Sequence, residues 1–562
     1  MSKKNRSKQK ARMPTPPAAE NTCKAPFKLS PGKVAVSRKA LQVLNTGYSE
    51  SGASHTKGSM LGWNPVSSSP NSDINANRPE LVSRSRSLYM GGNPLATSAI
   101  NTSRTNIIGA GLKLKPKIDA EALGISKEEA AKKGREIKRK FSLWANSRLC
   151  DIAQRNNFYD MQDILFVGCL LNGDSWAAIK WRKPMPGMRF ALRLQLFESD
   201  RVSNPDSYEV AGIAPGNVIT RNQKNGNRII NGVEINNDGA AVAYWVCNRY
   251  PYDPTNLYEV PQWHRVEAAD PVTGLPNIIQ LCNDERPEQY RGVPYLAPVI
   301  EQLKQIGRYT DAELMAAIIK AFFTIFFEET TPGHDGNPID EALNGHKKVS
   351  LDPNDFELGQ GTMNALPYGY KVTTVDGSRT LSTFEPFMDS MFTQIGAALD
   401  IPKEVITKRF NNSYTASRAA LLQAWAAFKM RREWFIRDIN QPIYEIWMAE
   451  QAATGYIEMN GFFDDDLIRQ AWCAAEWYGP VMGVLDPVKE AEGAGLRIAL
   501  GLTTREKEAA EMTGTDLEAN IQQLSLEQED MKHADVPIVS MVKGGDTDEK
   551  KHNQSDPDND GD

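Results

Sequence analysis

The segment from Pro294 to Glu329 restricts the architecture of this chain more than any other. It is apolar at helical spacing, with only Pro298 near its start and Gly307 arguing against one continuous helix. At about 1.5 Å per residue, such a helix would be on the order of 50 Å long. Thr330-Thr-Pro-Gly-His-Asp-Gly-Asn-Pro ends it firmly. Residues 345–382 then read as a short insertion of strand and turn, around Tyr368-Gly-Tyr-Lys-Val-Thr-Thr-Val and Asp376-Gly377. Helical pattern resumes from about Ser382 to Leu399, breaks at Asp400-Ile-Pro402 and starts again near Thr415. That last helix passes through Trp425, Phe428 and Trp434 to about Asn440, where Pro442 marks a kink or a new start. Two long helices bracketing a small β insertion are an uncommon layout for an enzyme core. They suit an elongated subunit whose helices line something.

Upstream, Ala40 to Pro79 is poor in aliphatics and rich in Ser, Gly and Asn, and reads as an extended arm pinned by Trp63. Helical pattern starts near Pro79, and a second run follows Asn93-Pro94 to about Asn106. Gly109-Ala-Gly111 breaks it, and Leu112-Lys-Leu-Lys alternates like a strand. Ser126 with Glu129 fits a capping box opening a helix to about Ala145, and another helix spans about Phe158 to Asn172. From Asp174 to Val266 the chain changes to short β-rich runs punctuated by Asn172-Gly173, Asn225-Gly226, Asn231-Gly232 and Asp238-Gly239. An antiparallel β region is expected there. A shorter helical tail follows Pro442, with Thr503-Thr-Arg-Glu and Thr513-Gly-Thr-Asp as start signals.

Charge is unevenly distributed along the 562 residues, which carry a net charge of −5. Residues 1–40 hold eleven Lys and Arg against Glu20, and the stretch from Gly544 holds seven acids against Lys550 and Lys551. Both ends read as solvated tails, the first also as an arm able to touch nucleic acid. A net acidic balance argues against tight, non-specific DNA binding. No uninterrupted run of about 18 apolar residues exists, so no spanning helix and no membrane partner are expected. The N-terminus has no apolar run behind its charges and does not read as a secretory signal. The six cysteines form no CxxC pair, so reduced thiols are expected and a zinc site is not.

Catalytic signals are sparse. No two histidines stand at metal-ligand spacing on a helix, and there is neither a GxxxxGK[ST] loop nor a GxSxG elbow. Asp464, Asp465 and Asp466 form the only acidic run weighed as a divalent-ion site; an exposed acidic loop is the plainer reading. No catalytic residue, metal ligand or cofactor is assigned. Basic residues inform more by position. Lys403, Lys408 and Arg409 cluster between two helices, and Lys347 and Lys348 sit in the β insertion. A few cations so placed suit light contact with a polyanion.

Arg84-Ser-Arg86-Ser-Leu88, Gly92-Asn93-Pro94-Leu-Ala96 and Asn106-Ile-Ile-Gly109-Ala-Gly111-Leu resemble the N-terminal signature of the lambda-type portal proteins of tailed bacteriophages, and the resemblance runs from about Trp63 to Tyr456. Trp144-Ala, Cys150-Asp151 and Asn172-Gly-Asp174 follow in order. The most specific match runs through Arg286, Pro287, Gln289, Arg291, Gly292 and Pro294 to Pro298, and on to Tyr309-Thr-Asp311-Ala. Leu399-Asp-Ile-Pro402 and Tyr414-Thr-Ala-Ser-Arg418 complete it; Ala416 stands where the family carries a second hydroxyl.

The resemblance implies an α+β portal fold and a homo-oligomeric ring of about twelve copies at one capsid vertex. Double-stranded DNA would pass transiently and non-specifically, and the terminase large subunit, major capsid and scaffold proteins, and head-tail connector proteins would be its partners. It places the protein in the virion, and in the host cytoplasm during assembly. Mapped onto this chain, it implies a disordered basic arm (1–62), a wing (63–293), a first stem helix (294–329) and a clip (330–382). A second stem helix (383–400), a tunnel loop (401–415), a long helix returning to the wing (416–486), a helical crown (487–540) and a disordered acidic tail (541–562) follow. Lys403, Lys408 and Arg409 then become channel candidates, and Lys347 and Lys348 terminase contacts. The competing expectations are a metal-dependent nuclease of phage DNA metabolism built on Asp464 to Asp466, and a peripheral protein binding DNA through its basic arm.

Overall fold

The computed structural model describes residues 57–60, 62–63, 65–206, 218–251, 253, 260–321, 325–329, 370–374, 384–410, 413–483 and 486–534. Lys347, Lys348, the basic arm through residue 56, most of the range expected to form the clip, and the acidic tail lie outside them. The chain divides into two compact units, residues 1–68 and 69–562. In the first, Met60 N donates to Lys57 O (2.9 Å) in a turn. Trp63 is 66% exposed there, so burial does not support its expected anchoring role.

The second unit opens with α1 (Pro70–Ser87), capped by Ser69, whose Oγ accepts from Ser72 N at 3.2 Å. Pro70 sits in the first turn, where a missing N–H leaves no bond unmade. The expected start near Pro79 is therefore corrected: Pro79 lies inside the helix. Helical periodicity is weak here because α1 is polar throughout and buries Arg78 as well as Val82 and Ser85. A π turn (Leu88–Gly92) leads to α2 (Pro94–Ile107), capped by Asn93. β1 (Lys113–Pro116) and α3 (Ala120–Leu123) precede α4 (Lys127–Ala145). Ser126 Oγ caps α4 at Glu129 N, 3.1 Å away, as its sequence predicts. Helix α5 (Phe158–Asn172) carries a reciprocal capping box between Asn157 and Asp160, and ends on Gly173 at φ +86°.

The expected antiparallel region follows as β2 (Asp174–Trp181), β3 (Leu192–Phe197), β4 (Arg228–Ile230), β5 (Val233–Ile235), β6 (Ala241–Cys247), β7 (Trp263–Glu267) and β8 (Ile278–Cys282). They form two sheets, β3-β2-β8 and β4-β5-β6-β7. Asn231 and Gly232, at φ +47° and +86°, make the two-residue turn between β4 and β5, where only residues tolerant of positive φ fit.

A 3-10 turn (Ala297–Val299) leads into α6 (Ile300–Ala321). Here the single helix expected to Glu329 is corrected. Ile325–Glu329 forms β9, paired antiparallel with β10 (Tyr370–Thr374), Tyr370 facing Glu329 and Thr374 facing Ile325. The run Ile325-Phe-Phe is as good a strand former as a helix former, and a partner from the far side of the insertion decides it. Helix α7 (Phe384–Leu399) matches expectation. The short α8 (Lys403–Thr407) precedes α9 (Tyr414–Phe435), which passes through a π turn (Ile436–Asn440) into α10 (Gln441–Ala453). Pro442 thus sits in the first turn of a new helical segment. The described residues end with α11 (Asp466–Cys473), β11 (Ala475–Tyr478, paired with β1), α12 (Pro487–Ala499), α13 (Arg505–Thr513) and α14 (Leu517–His533).

The main core gathers around Phe141, which meets Trp144, Phe158, Tyr444, Trp447 and Trp477 at centroid distances of 5.3–6.0 Å. Truncating so enclosed a ring costs about 3–5 kcal/mol. A second, smaller core joins the two sheets through Trp176, Val202, Ile230, Val233, Ile235, Tyr244 and Ile278. The five described cysteines are free. Among the described residues, no helix is long and apolar enough to cross a membrane.

Candidate functional site

The segment joining α7 to α9 is anchored on one side and exposed on the other. Asp400 takes φ +53°, and the chain folds back so closely that a Cβ on Gly396 would lie 2.5 Å from Ile401 O. Ile401, Val405 and Ile406 are buried, and Ser98 of α2 donates to Ile406 O at 2.6 Å. Tyr295 and Arg431 clamp the end of α7: the Tyr295 hydroxyl donates to Leu399 O, and Arg431 Nη1 donates to that hydroxyl at 2.9 Å. Arg431 also lies 3.4 Å from the Asp400 carboxylate. Burial raises the Tyr295 phenol above its ordinary range, which keeps it a donor.

The three cations predicted for this loop lie in it together but are not equivalent. Lys403 pairs with Asp389 at 2.5 Å, and Arg409 with Glu385 at 3.4 Å. Both acids stand on α7, four residues apart and therefore on one helical face. Lys408 caps α8 in the left-handed region at φ +57°, is exposed, and among the described residues forms no ion pair. The loop therefore presents one uncompensated cation beside two locally neutralised ones.

The signature residues of the sequence converge elsewhere, on a buried junction. Arg291 Nε donates to Asp174 Oδ2 at 2.6 Å, with both side chains at most 1% exposed. Its other nitrogens reach Val202 O at 2.7 Å, Asn231 O, Ser199 O at 3.0 Å and Ser199 Oγ at 2.9 Å. Arg78 enters from α1, donating to Asp174 Oδ1 and Asn172 O at 3.2 Å each and to Ser199 Oγ. Trp176 Nε1 and Gly292 N complete the shell of Asp174, at 3.1 and 3.2 Å. Burial alone would raise the Asp174 carboxyl, but Arg291 and Arg78 override it and hold it well below the usual carboxylate range. Arg78 itself is lowered to about 10, by burial first and by Arg291 second. Two glycines let the backbones touch: a Cβ on Gly292 would lie 1.8 Å from Gly173 O.

The remaining signature residues have structural roles or stand exposed. Gln289 Oε1 accepts from Glu285 N and Arg286 N at 3.2 Å each, and Arg286 pairs with Asp73 at 2.6 Å. Pro294 is buried and Pro287 exposed; Asp311 is exposed on α6. Arg418 pairs with Glu490 of α12 at 3.3 Å. The side chain of Tyr414 lies outside the described residues.

Asp464 to Asp466 do not assemble a metal site. Asp465 Oδ1 caps α11 at Leu467 N (2.8 Å), and Asp466 lies 3.8 Å from Arg469. Among the described residues, no three His, Cys, Asp or Glu side chains come together as metal ligands.

Sequence reasoning missed Arg78, Ser199, Tyr295 and Arg431, whose partners are remote in the chain. It also missed Glu234, whose side chain is 0% exposed to solvent. Glu234 Oε1 accepts from Asn225, Asn227 and Arg265 at 2.7, 3.0 and 3.1 Å, and Oε2 from Asn222, Trp245 and Arg265 at 3.0, 3.1 and 2.8 Å. Burial opposes its charge, but these bonds, Arg265 foremost, lower the carboxyl to about 2. The clue was the Asn-rich loop of residues 222–227, facing an acid in a strand.

Comparison with known proteins agrees with the ordered signature blocks. The model of a family described as phage portal protein, lambda family, matches residues 56–432, more than half of the chain. The portal protein of Escherichia phage N15 is 24% identical over 470 residues, covering 81% of this chain and 84% of its own. Portal protein B of Escherichia phage lambda is 24% identical over 477 residues, covering 82% and 85%. Among solved structures, a chain from the neck of a native GTA particle, computed with C12 symmetry, is 12% identical with a TM-score of 0.39, covering 77% of this chain and 92% of its own.

Proposed function

The chain belongs to the lambda family of phage portal proteins, and from that premise we propose that its copies close into a ring of about twelve at one capsid vertex. Through the ring, the terminase packages double-stranded DNA, which later leaves by the same path, and onto it the neck and tail attach. The protein makes and breaks no bonds in this role; membership of a portal family gives the nuclease alternative no support. The virion is its final place and the host cytoplasm its place of assembly.

The observation that carries the ring is apolar surface left open on the long helices. Leu314 and Met315 of α6 are 59% and 55% exposed, with Ile318 one turn on. Phe387 of α7 and Leu422 and Met430 of α9 are also exposed. Soluble monomers rarely leave such surface uncovered, and neighbouring copies would cover it. In this reading α6 and α7 are the stem, β9 and β10 close the base of the clip, the segment after Leu399 faces the channel, and α12 to α14 form the crown. The residues before α6 make up the wing, and α9 with α10 returns the chain to it.

Negative-stain images and mass measurement of the purified full-length chain test the ring. Particles with a central hole near 750 kDa are expected, from about twelve chains of 62.4 kDa. A stable 62.4 kDa monomer at micromolar concentration would overturn it.

DNA must slide, so phosphate contacts should be few and weak. Lys408 is the principal channel cation in this reading, with Lys403 and Arg409 tempered by Asp389 and Glu385. Lys408→Glu with Arg409→Glu should reduce packaged DNA while rings still form; unchanged packaging refutes the guiding role. Lys347 and Lys348 are proposed to meet the terminase large subunit, and a pull-down unaffected by K347E with K348E would refute that contact.

A further inference from the structure

The three C-terminal helices are held to the rest of the chain in an unusual manner. Of their own residues, α12 and α13 bury only Ala494 and Glu508, and α14 buries none. Their ion pairs to the body all run one way, with the cation on the body and the acid on the C-terminal helices. Lys115 meets Glu506 and Asp516, Lys138 meets Asp516 at 2.6 Å, and Arg135 meets Glu518. On α9, Arg418 meets Glu490 at 3.3 Å and Lys429 meets Glu511 at 3.6 Å. Among the described residues, no pair of the opposite sense bridges the two parts.

A groove of about 910 Å³ lies where β1 and α4 face the start of α14. Six cations line it, Lys115, Lys117, Lys127, Arg135, Lys138 and Arg139, against the two acids Asp516 and Glu518. Lys127 and Arg139 are exposed and, among the described residues, form no ion pair. Along α4, Lys127, Arg135, Lys138 and Arg139 extend over about 18 Å. A compact anion would meet one or two of these groups. A phosphate backbone, with its charges repeated every few ångströms, meets the whole row.

We propose that this groove binds the phosphate backbone of double-stranded DNA, at a site separate from the loop after Leu399. Asp516 and Glu518 occupy its cations when DNA is absent, and DNA displaces them and loosens α14. The proposal rests on the portal reading only for the source of the duplex.

The test uses the full-length chain at low salt with a 20-base-pair duplex. Hydrogen exchange localises the effect apart from any binding by the basic arm. Protection along residues 127–139 and faster exchange along 505–533 are expected on adding the duplex. Lys127→Glu with Arg139→Glu breaks no ion pair described above and should weaken duplex affinity about tenfold with an unchanged melting temperature. Asp516→Asn with Glu518→Gln should tighten it several-fold by removing the competitor. The proposal falls if neither variant changes duplex affinity, if the exchange pattern does not move, or if polyglutamate of matching charge binds as well as the duplex. Ring formation, measured separately by mass, can fail without altering these outcomes.

Discussion

Asp174 and Asp389 are both carboxylates facing cations, yet they illustrate opposite uses of an ion pair. Asp174 is fully buried, shared by two arginines and further bonded by Ser199, Trp176 and Gly292. Asp389 is 56% exposed and, among the described residues, forms an ion pair only with Lys403. Burial removes water as an alternative partner, so the Asp174 junction can only be whole or broken. Exposed pairs are worth roughly 0–1 kcal/mol and exchange partners easily. The chain fixes its two sheets to the helical body with the first kind of pair. It lines its candidate DNA contacts with the second, and docks its C-terminal helices with both: the pairs of Arg135 with Glu518 and of Lys429 with Glu511 are exposed, whereas the Lys115 and Asp516 side chains are largely buried.

Substitutions can break this contrast, beginning where the effect is largest. Asp174→Asn should leave two buried arginines without their counter-charge and cost about 3–5 kcal/mol, read as a shift of the urea midpoint. A loss below about 1 kcal/mol would put Asp174 in the same class as Asp389. Gly292→Ala drives a methyl into the Gly173 carbonyl and should cost about 1–3 kcal/mol or more by the same assay. An alanine tolerated without loss would mean that the two backbones separate readily.

Glu234 sharpens the contrast through pH. Its carboxyl is lowered from 4.5 to about 2, so the clamp is complete above pH 4.5 and is lost as pH falls through about 2. Trp245 donates to it, so indole fluorescence should report loosening of the 222–227 loop across that interval. Glu234→Gln should abolish the titration, and a wild-type signal flat down to about pH 2 would contradict the assignment. The smallest effect belongs to Asp389→Asn, expected to change stability by less than about 1 kcal/mol and to vanish in high salt. A salt-resistant loss would show that the loop pair is as fixed as the buried junction.

Local signals in the sequence were read well and remote ones poorly, for a physical reason. The caps of α4 and α5 and the Asn231-Gly232 turn are decided within a few residues, and so are legible. The strand Ile325–Glu329 is decided by pairing with Tyr370–Thr374, and its local composition fits a helix equally well. Helix α1 begins at Pro70 behind the Ser69 cap, a local signal masked by the polar character of the helix, and its buried Arg78 makes a contact that no periodicity announces. At the candidate site, the loop and its cations were legible, but the α7 acids that neutralise two of them depend on folding geometry. Asn172-Gly-Asp174 and Arg291-Gly292 were each recognisable as blocks. That they are two halves of one contact was not.

The pairing of β9 with β10 has a practical meaning for protein engineering. Glu329 and Tyr370 face one another across an antiparallel ladder, so the chain leaves and re-enters at points about 5 Å apart. Everything between them is spliced in at a single narrow doorway. A foreign cassette whose ends lie equally close could be exchanged for residues 330–369 without altering the spacing of α6 and α7.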